Sequence, residues 1–266
     1  KAVANHPLRV MESTTLEPTA RESAHSEPVL YLLPSLLDAE WGGDHIGSRV
    51  REILANLEYL VVESEREARR MIRRMLPRVD LNRYKLVLLN EHQREPRYGD
   101  FLEPMHRGHS MGLMSDAGLP VLADPGSGLV LEAHRQGWKV EPLSGPSSLM
   151  LAWMASGLNG QHMEFHGYLP IQASDRIRQL REMEQRSQRT HQTQVWIETP
   201  YRNDALLESA LRCLQPNTLL CVACEITGGP KEWIKTRRVN EWVEAMQRGE
   251  GPSLHKRPCV FLLQCP

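Results

Sequence analysis

Met114-Ser115-Asp116-Ala117-Gly118-Leu119-Pro120, followed by Ala123-Asp124-Pro125-Gly126, is the stretch on which the fold turns. It comes just after residues 110–114, a short apolar run that reads as a buried strand. In open α/β sheets, ligands bind beyond the carboxyl ends of strands. Gly118 and Gly126 allow positive φ and a close approach of backbone to a ligand. Asp116 and Asp124 offer acceptors to hydroxyls or to an ammonium group. The competing reading is two tight turns, rich in Asp, Gly and Pro, that only join strand to helix. Spacing alone leaves both open.

Working outward, strands are expected at residues 29–33, 59–63, 85–89, 110–114 and 138–143. Helices are expected at 47–56, 65–76 and 125–136, the second stopped by Pro77 and the third by Gly137. This alternation predicts a mostly parallel sheet with helices on both faces. After Gly145-Pro146 comes an apolar helix at 147–156, and then the rhythm changes. Strands are expected at 163–167, 195–198, 219–223, 232–239 and 258–264, with helices at 174–189, 203–214 and 240–247. Strands this close in sequence suggest a mixed sheet with antiparallel pairs. The expected organisation is α/β throughout. A flexible extension spans residues 1–28, an N-terminal α/β domain 29–143, and a C-terminal α/β domain with a mixed sheet 144–266.

Pro142-Leu143-Ser144-Gly145-Pro146-Ser147-Ser148 is the second informative stretch. A strand ends, a Gly-Pro turn follows, and a helix opens on serines. Ser147 or Ser148 reads as a helix cap, and the same free amides could hold a carboxylate.

The 266 residues carry a formal net charge of -1, with 41% hydrophobic and 24% charged residues. That excludes a disordered or fibrous chain. Near-neutral charge does not argue for nucleic acid and does not exclude a local basic patch. The cysteine count is five, and all lie in the last quarter of the chain, so a disulfide framework is not expected. Cys221 and Cys224 have C-x-x-C spacing, but on a strand positions three apart face opposite ways. No metal site is expected. No apolar run approaches the length of a membrane helix and no secretory signal is visible, so the expected location is the cytoplasm, with no membrane partner.

Four separated motifs occur in order: Ser115-Asp116-Ala117-Gly118-x-Pro120, Asp124-Pro125-Gly126, Pro142-Leu143-x-Gly145-Pro146 and Gly167-Tyr168-Leu169-Pro170. With Ile197-Glu198-Thr199-Pro200-Tyr201-Arg202, Glu225-Ile226-Thr227 and Arg257-Pro258-Cys259-Val260, the series resembles the ribosomal RNA small-subunit methyltransferase I group of the tetrapyrrole-methylase superfamily. The resemblance runs from about Leu30 to Gln264. It implies two α/β domains with a cleft that holds S-adenosylmethionine, and a homodimer. It places Pro34, Ser115, Asp116, Ala117, Gly118, Pro120, Ser147, Ser148, Tyr168 and Leu169 against that cofactor. The family's first loop, usually Pro-Thr-Pro-Ile-Gly-Asn-Leu, is here Pro34-Ser35-Leu36-Leu37-Asp38-Ala39. Its Glu-Asp-Thr-Arg is here Glu63-Ser64-Glu65-Arg66, and a shorter branch without its further C-terminal domain is expected.

For methyl transfer the protein must place the acceptor in line and exclude water. A ribose hydroxyl as acceptor would be helped by a general base. Glu63, Glu198 and His92 lie near expected strand ends and are candidates, each also readable as structural or substrate-orienting. Arg66, Arg70 and Arg73 share a helix face. Arg66 and Arg70, with Arg202, are candidate substrate contacts for RNA phosphates; a solvated face paired with Glu65 and Glu67 is the plainer reading. Three functions compete: a ribosomal RNA ribose 2'-O-methyltransferase, a methyltransferase of a tetrapyrrole or other small molecule, and a non-catalytic protein that binds S-adenosylmethionine.

Overall fold

The computed structural model describes residues 27–38, 40–41, 43–89 and 97–266. Candidate His92, Ala39 of the first loop and nearly all of the 1–28 extension lie outside the described residues. The first half of the chain carries β1 (Val29–Leu33), β2 (Tyr59–Val62), β3 (Lys85–Leu88), β4 (Met111–Met114) and β5 (Lys139–Pro142). They form one sheet in the order β3-β2-β4-β1-β5, and every pair is parallel.

Both faces of this sheet are covered, so its inner strands β1, β2 and β4 carry no charged residue at any position, while the edge strands β3 and β5 include Lys85, Lys139 and Glu141. In β2, Leu60 and Val62 face a core formed with α1 (Ser48–Asn56) and α2 (Glu65–Met75), while Tyr59 and Val61 face the opposite core with Leu102 and Leu129. Those last two residues belong to the segment of α3 (Tyr98–Phe101) and α4 (Glu103–His106) and to α5 (Ser127–Arg135). Helix α2 is locally well specified. Ser64 caps it by accepting the Glu67 N–H at 3.3 Å, and Ala68, Met71, Ile72 and Met75 are buried. Glu65 and Glu67 sit in its first turn and Arg73 and Arg74 in its last, which suits the helix dipole.

From β5 the chain crosses to a second sheet. Helix α6 (Ser148–Ser156) packs on that sheet, which is built from β6 (Met163–Tyr168), β7 (Thr193–Glu198), β8 (Leu219–Cys224), β9 (Trp233–Arg238) and β10 (Cys259–Gln264). The order is β6-β7-β10-β8-β9; β6 and β7 are parallel and the remaining pairs antiparallel. One face packs on α7 (Ala173–Thr190), α8 (Asn203–Cys213) and α9 (Val239–Gln247) through Trp196, Phe261 and Trp242. The other face carries α6 through Val195, Ala223 and Val260. Cys221 lies in the α6-side core and Cys224 in the opposite one, so the C-x-x-C pair is split across the sheet.

The α/β class and the mixed second sheet agree with the sequence reading. Three details differ. Strand β7 begins at Thr193 rather than 195, because Thr193 and Gln194 are fully buried polar residues that an apolar pattern does not mark. Helices α3 and α4 were not expected; at four residues each they are too short to show periodicity. Helix α5 starts at Ser127 rather than at Pro125, since Gly126 at φ +130° is not helical.

Candidate functional site

A cavity of about 270 Å³ opens between the two sheets, at the carboxyl end of the first. Three loops of the first half are locked together at its edge. After β1, the Ser35 hydroxyl donates to the Ser115 carbonyl at 2.7 Å, and the Ser35 N–H donates to the Gly118 carbonyl at 2.8 Å. Pro34 packs so closely on Gly145 that a Cβ there would sit 2.1 Å from the proline Cβ. The loops after β1, β4 and β5 are thereby fixed in register. Gly118 adopts φ +72° with Leu37 3.1 Å from where its Cβ would be, a conformation and a space that favour glycine.

The wall combines Leu37, Asp38, Ala117, Gly118 and Asp124 from the first half with Ser147, Ser148 and Leu149 at the start of α6. The second half adds strand ends: Tyr168 of β6, Ile197 and Glu198 of β7, Ala223 of β8, and Cys259 and Val260 of β10. The Ser147 hydroxyl accepts the Met150 N–H at 3.4 Å, so Ser147 does cap α6, and it does so at the cavity wall. On the far side Glu225 and Thr227 have φ of +48° and +66°, making a tight turn after β8, and Glu225 is held by Arg257 Nε at 2.7 Å. The altered first loop spans the two halves: Lys231 Nζ reaches the Glu40 carboxylate at 2.7 Å, and Trp41 packs on Gly229.

Carboxylates gather where β2 and β4 end. Glu63 Oε1 accepts the Asp116 N–H at 3.3 Å. Burial, then the nearby charges of Asp124 and Asp116, push the Glu63 carboxyl up to about 7. Burial, and then Glu67, also raise Asp116 above the usual range. Glu198 lies opposite, its side chain fully covered. Its Oε1 accepts from the Thr199 N–H at 2.6 Å and from Arg202, with Nε at 2.9 Å, while its Oε2 is buried without a partner.

Of the residues the sequence singled out, Ala117, Gly118, Ser147, Ser148, Tyr168 and Glu198 meet at this cavity. Pro34, Ser115 and Pro120 are buried behind the wall and shape the loops, and Asp116 stands on the rim beside Glu63. Leu169 is 2% exposed and belongs to the α7–α8 core, because it begins the turn that leaves β6. Arg202 holds Glu198. Arg66 and Arg70 project from the outer face of α2, both near Glu67, at 3.9 and 3.4 Å. The sequence reading missed Leu37, Ile197, Ala223, Ile226 and Val260 of the wall. Ile197, Ala223 and Ile226 sit at or just past the carboxyl ends of β7 and β8, so the strand-end rule, applied to that sheet as it was to the first, would have found them; Val260, at the amino end of β10, comes beside Ile197 through antiparallel pairing.

The donor set fits a nucleoside-bearing cofactor. Leu37, Leu119, Leu122, Leu149, Ile197 and Val260 give apolar surface for a flat base, while Asp38, Asp124 and Ser147 give acceptors for hydroxyls and an amine. The Glu198 side chain is 0% exposed behind that wall. Among the described residues, no group of three or more His, Cys, Asp or Glu side chains is arranged to hold a metal ion.

No protein-family model matches the chain. It is 28% identical over 220 residues to the ribosomal RNA small subunit methyltransferase I of Vibrio cholerae, covering 83% of this chain and 68% of that protein. It is 31% identical over 159 residues to the protein of the same name from Thermotoga maritima, covering 58% of this chain and 69% of that one. Among solved structures, the methyltransferase CobJ superposes with a TM-score of 0.57 at 17% identity, over 91% of this chain and 100% of that one. The uroporphyrin-III-C-methyltransferase of Thermus thermophilus gives 0.51 at 18%, over 89% and 94%. The structural likeness establishes the fold, and the sequence relatives establish that the chain belongs to the ribosomal RNA small subunit methyltransferase I family.

Proposed function

We propose that this protein is a methyltransferase that uses S-adenosylmethionine to methylate a ribose 2'-hydroxyl of ribosomal RNA. The observation that carries the reading is the cavity, in which the loops after β4 and β5 meet the strand ends of the second sheet. The bound cofactor supplies a methyl group already activated by its sulfonium charge. The chain's own task is to hold donor and acceptor in line and to exclude water. The Gly118 loop and the Ser147 end of α6 would hold the methionine part, with the free amides of α6 toward its carboxylate. The strap formed by Glu40 and Trp41 against Gly229 and Lys231 would shield one end from solvent. Glu63, held near neutrality, is suited to take the proton of the hydroxyl. Arg66 and Arg70, 90% and 60% exposed, would meet RNA phosphates.

The division into domains at residue 143, a homodimer and a cytoplasmic location complete the reading. Helix α6 supports the homodimer: it is apolar on all sides and leaves Met150 and Met154 41% and 77% exposed. Among the described residues, no helix is long and apolar enough to cross a membrane. The test is calorimetric titration with S-adenosylmethionine and S-adenosylhomocysteine, followed by transfer of a labelled methyl group to small ribosomal subunits, with a tetrapyrrole as the second acceptor. Micromolar cofactor binding with label in the RNA is the expected result. Label in the tetrapyrrole alone would move the reading to a small-molecule enzyme, and absence of cofactor binding would overturn it.

A further inference from the structure

The turn that follows β7, Thr199-Pro200-Tyr201-Arg202, leaves Tyr201 71% exposed at the lip of the cavity. Pro200 just before it, and Pro258 at the end of the loop that leads into β10, line that cavity. A single exposed aromatic residue means little by itself. This one is held rigidly. Glu198 accepts the Thr199 N–H at 2.6 Å and Arg202 Nε at 2.9 Å, and the Arg202 N–H donates to the Thr199 carbonyl at 2.9 Å. The loop before β10 is stitched to the same turn. Lys256 N–H donates to the Pro200 carbonyl at 3.0 Å, Leu254 N–H to Asp204 Oδ1 at 3.0 Å, and Asn203 Nδ2 to the Arg257 carbonyl at 2.6 Å. His255 on that loop meets Tyr201 edge-to-face, with ring centroids 6.0 Å apart and planes at 74°. That contact steadies the tyrosine ring and is not a parallel stack. A ring on so fixed a turn loses little freedom when a ligand packs on it.

The uncommitted charge at this lip is positive. Arg202 is paired with Glu198 and Arg257 with Glu225, so four of the ionised groups cancel. Asp204, the remaining acid on these two segments, has Oδ1 engaged by the Leu254 N–H. Lys256 is exposed and makes no ion pair among the described residues. An open aromatic ring beside a free ammonium suits a base and its phosphate in single-stranded RNA, where aromatic side chains stack on bases and cations follow the backbone. Pro200 and Pro258 put the lip one or two residues from the cavity wall, within reach of the nucleotide next to one whose ribose enters the cavity. Extending the RNA reading above, on which this rests, we propose that Tyr201 stacks on a base of the acceptor RNA beside the methylated nucleotide, and that Lys256 meets the adjoining phosphate. Both residues bind the acceptor and not the cofactor.

Transfer of a labelled methyl group from S-adenosylmethionine to small ribosomal subunits, read on the full chain at varied subunit concentration, tests this with Tyr201→Ala, Tyr201→Phe and Lys256→Ala. Tyr201→Ala should raise KM for the subunits by about five- to a hundred-fold, the range for one base stacked on an aromatic ring. Tyr201→Phe keeps the ring and should stay close to wild type. Lys256→Ala should reduce the slope of log K for subunit binding against log salt by about 0.7, the share of one single-strand phosphate. All three variants should melt, sediment and bind S-adenosylhomocysteine as wild type does. If Tyr201→Ala matches wild type, or if Tyr201→Phe loses as much as Tyr201→Ala, no base stacks there and the assignment is overturned. It is overturned equally if Tyr201→Ala weakens S-adenosylhomocysteine binding or changes sedimentation, which would make the lip part of the cofactor site or of a contact between copies. An unchanged salt slope for Lys256→Ala removes the phosphate contact. If wild type labels a tetrapyrrole and no RNA, the RNA reading falls and this assignment with it; label in the RNA with an indifferent Tyr201→Ala overturns this assignment alone.

Discussion

Replacing Glu63 by Gln tests the electrostatics of the rim directly. The substitution keeps an oxygen that can accept the Asp116 N–H and removes one negative charge from beside Asp116 and Asp124. In the wild type the folded-state carboxyl titrates at about 7, against 4.5 for the ordinary group. Between those values the folded chain binds the proton that the unfolded chain has lost, so stability falls as pH rises through this window. Below pH 4.5 the group is protonated in both states and costs nothing. Above pH 7 the full cost of holding the charge is present.

For a fully desolvated group, that interval corresponds to about 3.4 kcal/mol. Glu63 is only half-buried, and water screens what it feels, so about 1–2 kcal/mol is the realistic figure. Glu63→Gln should therefore be about 1–2 kcal/mol more stable than wild type in urea unfolding at pH 8 and about equal to it at pH 5. The same variant should lose methyl transfer and the rise in rate with pH centred near 7, while keeping cofactor affinity. A stability difference between variant and wild type that is the same at both pH values would refute the carboxylate-crowding argument. Undiminished transfer with an unchanged pH profile would refute the role of Glu63 as base.

Other expectations follow from single positions. Gly118→Ala forces a Cβ into a left-handed conformation beside Leu37; it should cost about 1 kcal/mol and lower cofactor affinity more than stability, as calorimetry beside a melt would show. Arg66→Ala with Arg70→Ala should leave the melting temperature unchanged, weaken RNA binding, and reduce the slope of log K against log salt by about 1.4–1.8 if both touch phosphates. An unchanged slope would return this face of α2 to solvent. His191 ends α7 at φ +55°, where glycine is at ease, so His191→Gly should raise stability by roughly 0.5–1 kcal/mol without altering cofactor binding. A destabilised variant would show that the His191 side chain contributes more than its strained backbone takes away.

What the sequence made legible, and what it did not, divides along a physical line. The parallel sheet was readable because its inner strands carry no charged residue and its helices are amphipathic: Ala68, Met71, Ile72 and Met75 are spaced as one buried face of α2, with arginines and glutamates filling the rest. The loops after β4 and β5 were readable because glycine and proline are needed where backbone must turn tightly or pack closely, as Gly118 and Pro34 against Gly145 do. Residue type at a strand end, in contrast, does not reveal which way a side chain leans. Glu63 and Glu198 both follow apolar runs and looked equivalent as candidate bases. Their difference lies in their neighbours, one of them distant in sequence and one local. Asp124 approaches Glu63 from a loop some sixty residues on, while Arg202, four residues beyond Glu198, folds back onto it. Burial, with Asp124 and Asp116 crowding it, lets Glu63 hold its proton up to near neutral pH, as proton transfer requires. The arginine fork on Glu198 instead pairs a carboxylate whose side chain is 0% exposed, which fixes the strand end behind the wall. One type of side chain at two similar strand ends thereby acquires two settings, and the choice between them is made by burial and by the charge of the neighbour that the fold delivers.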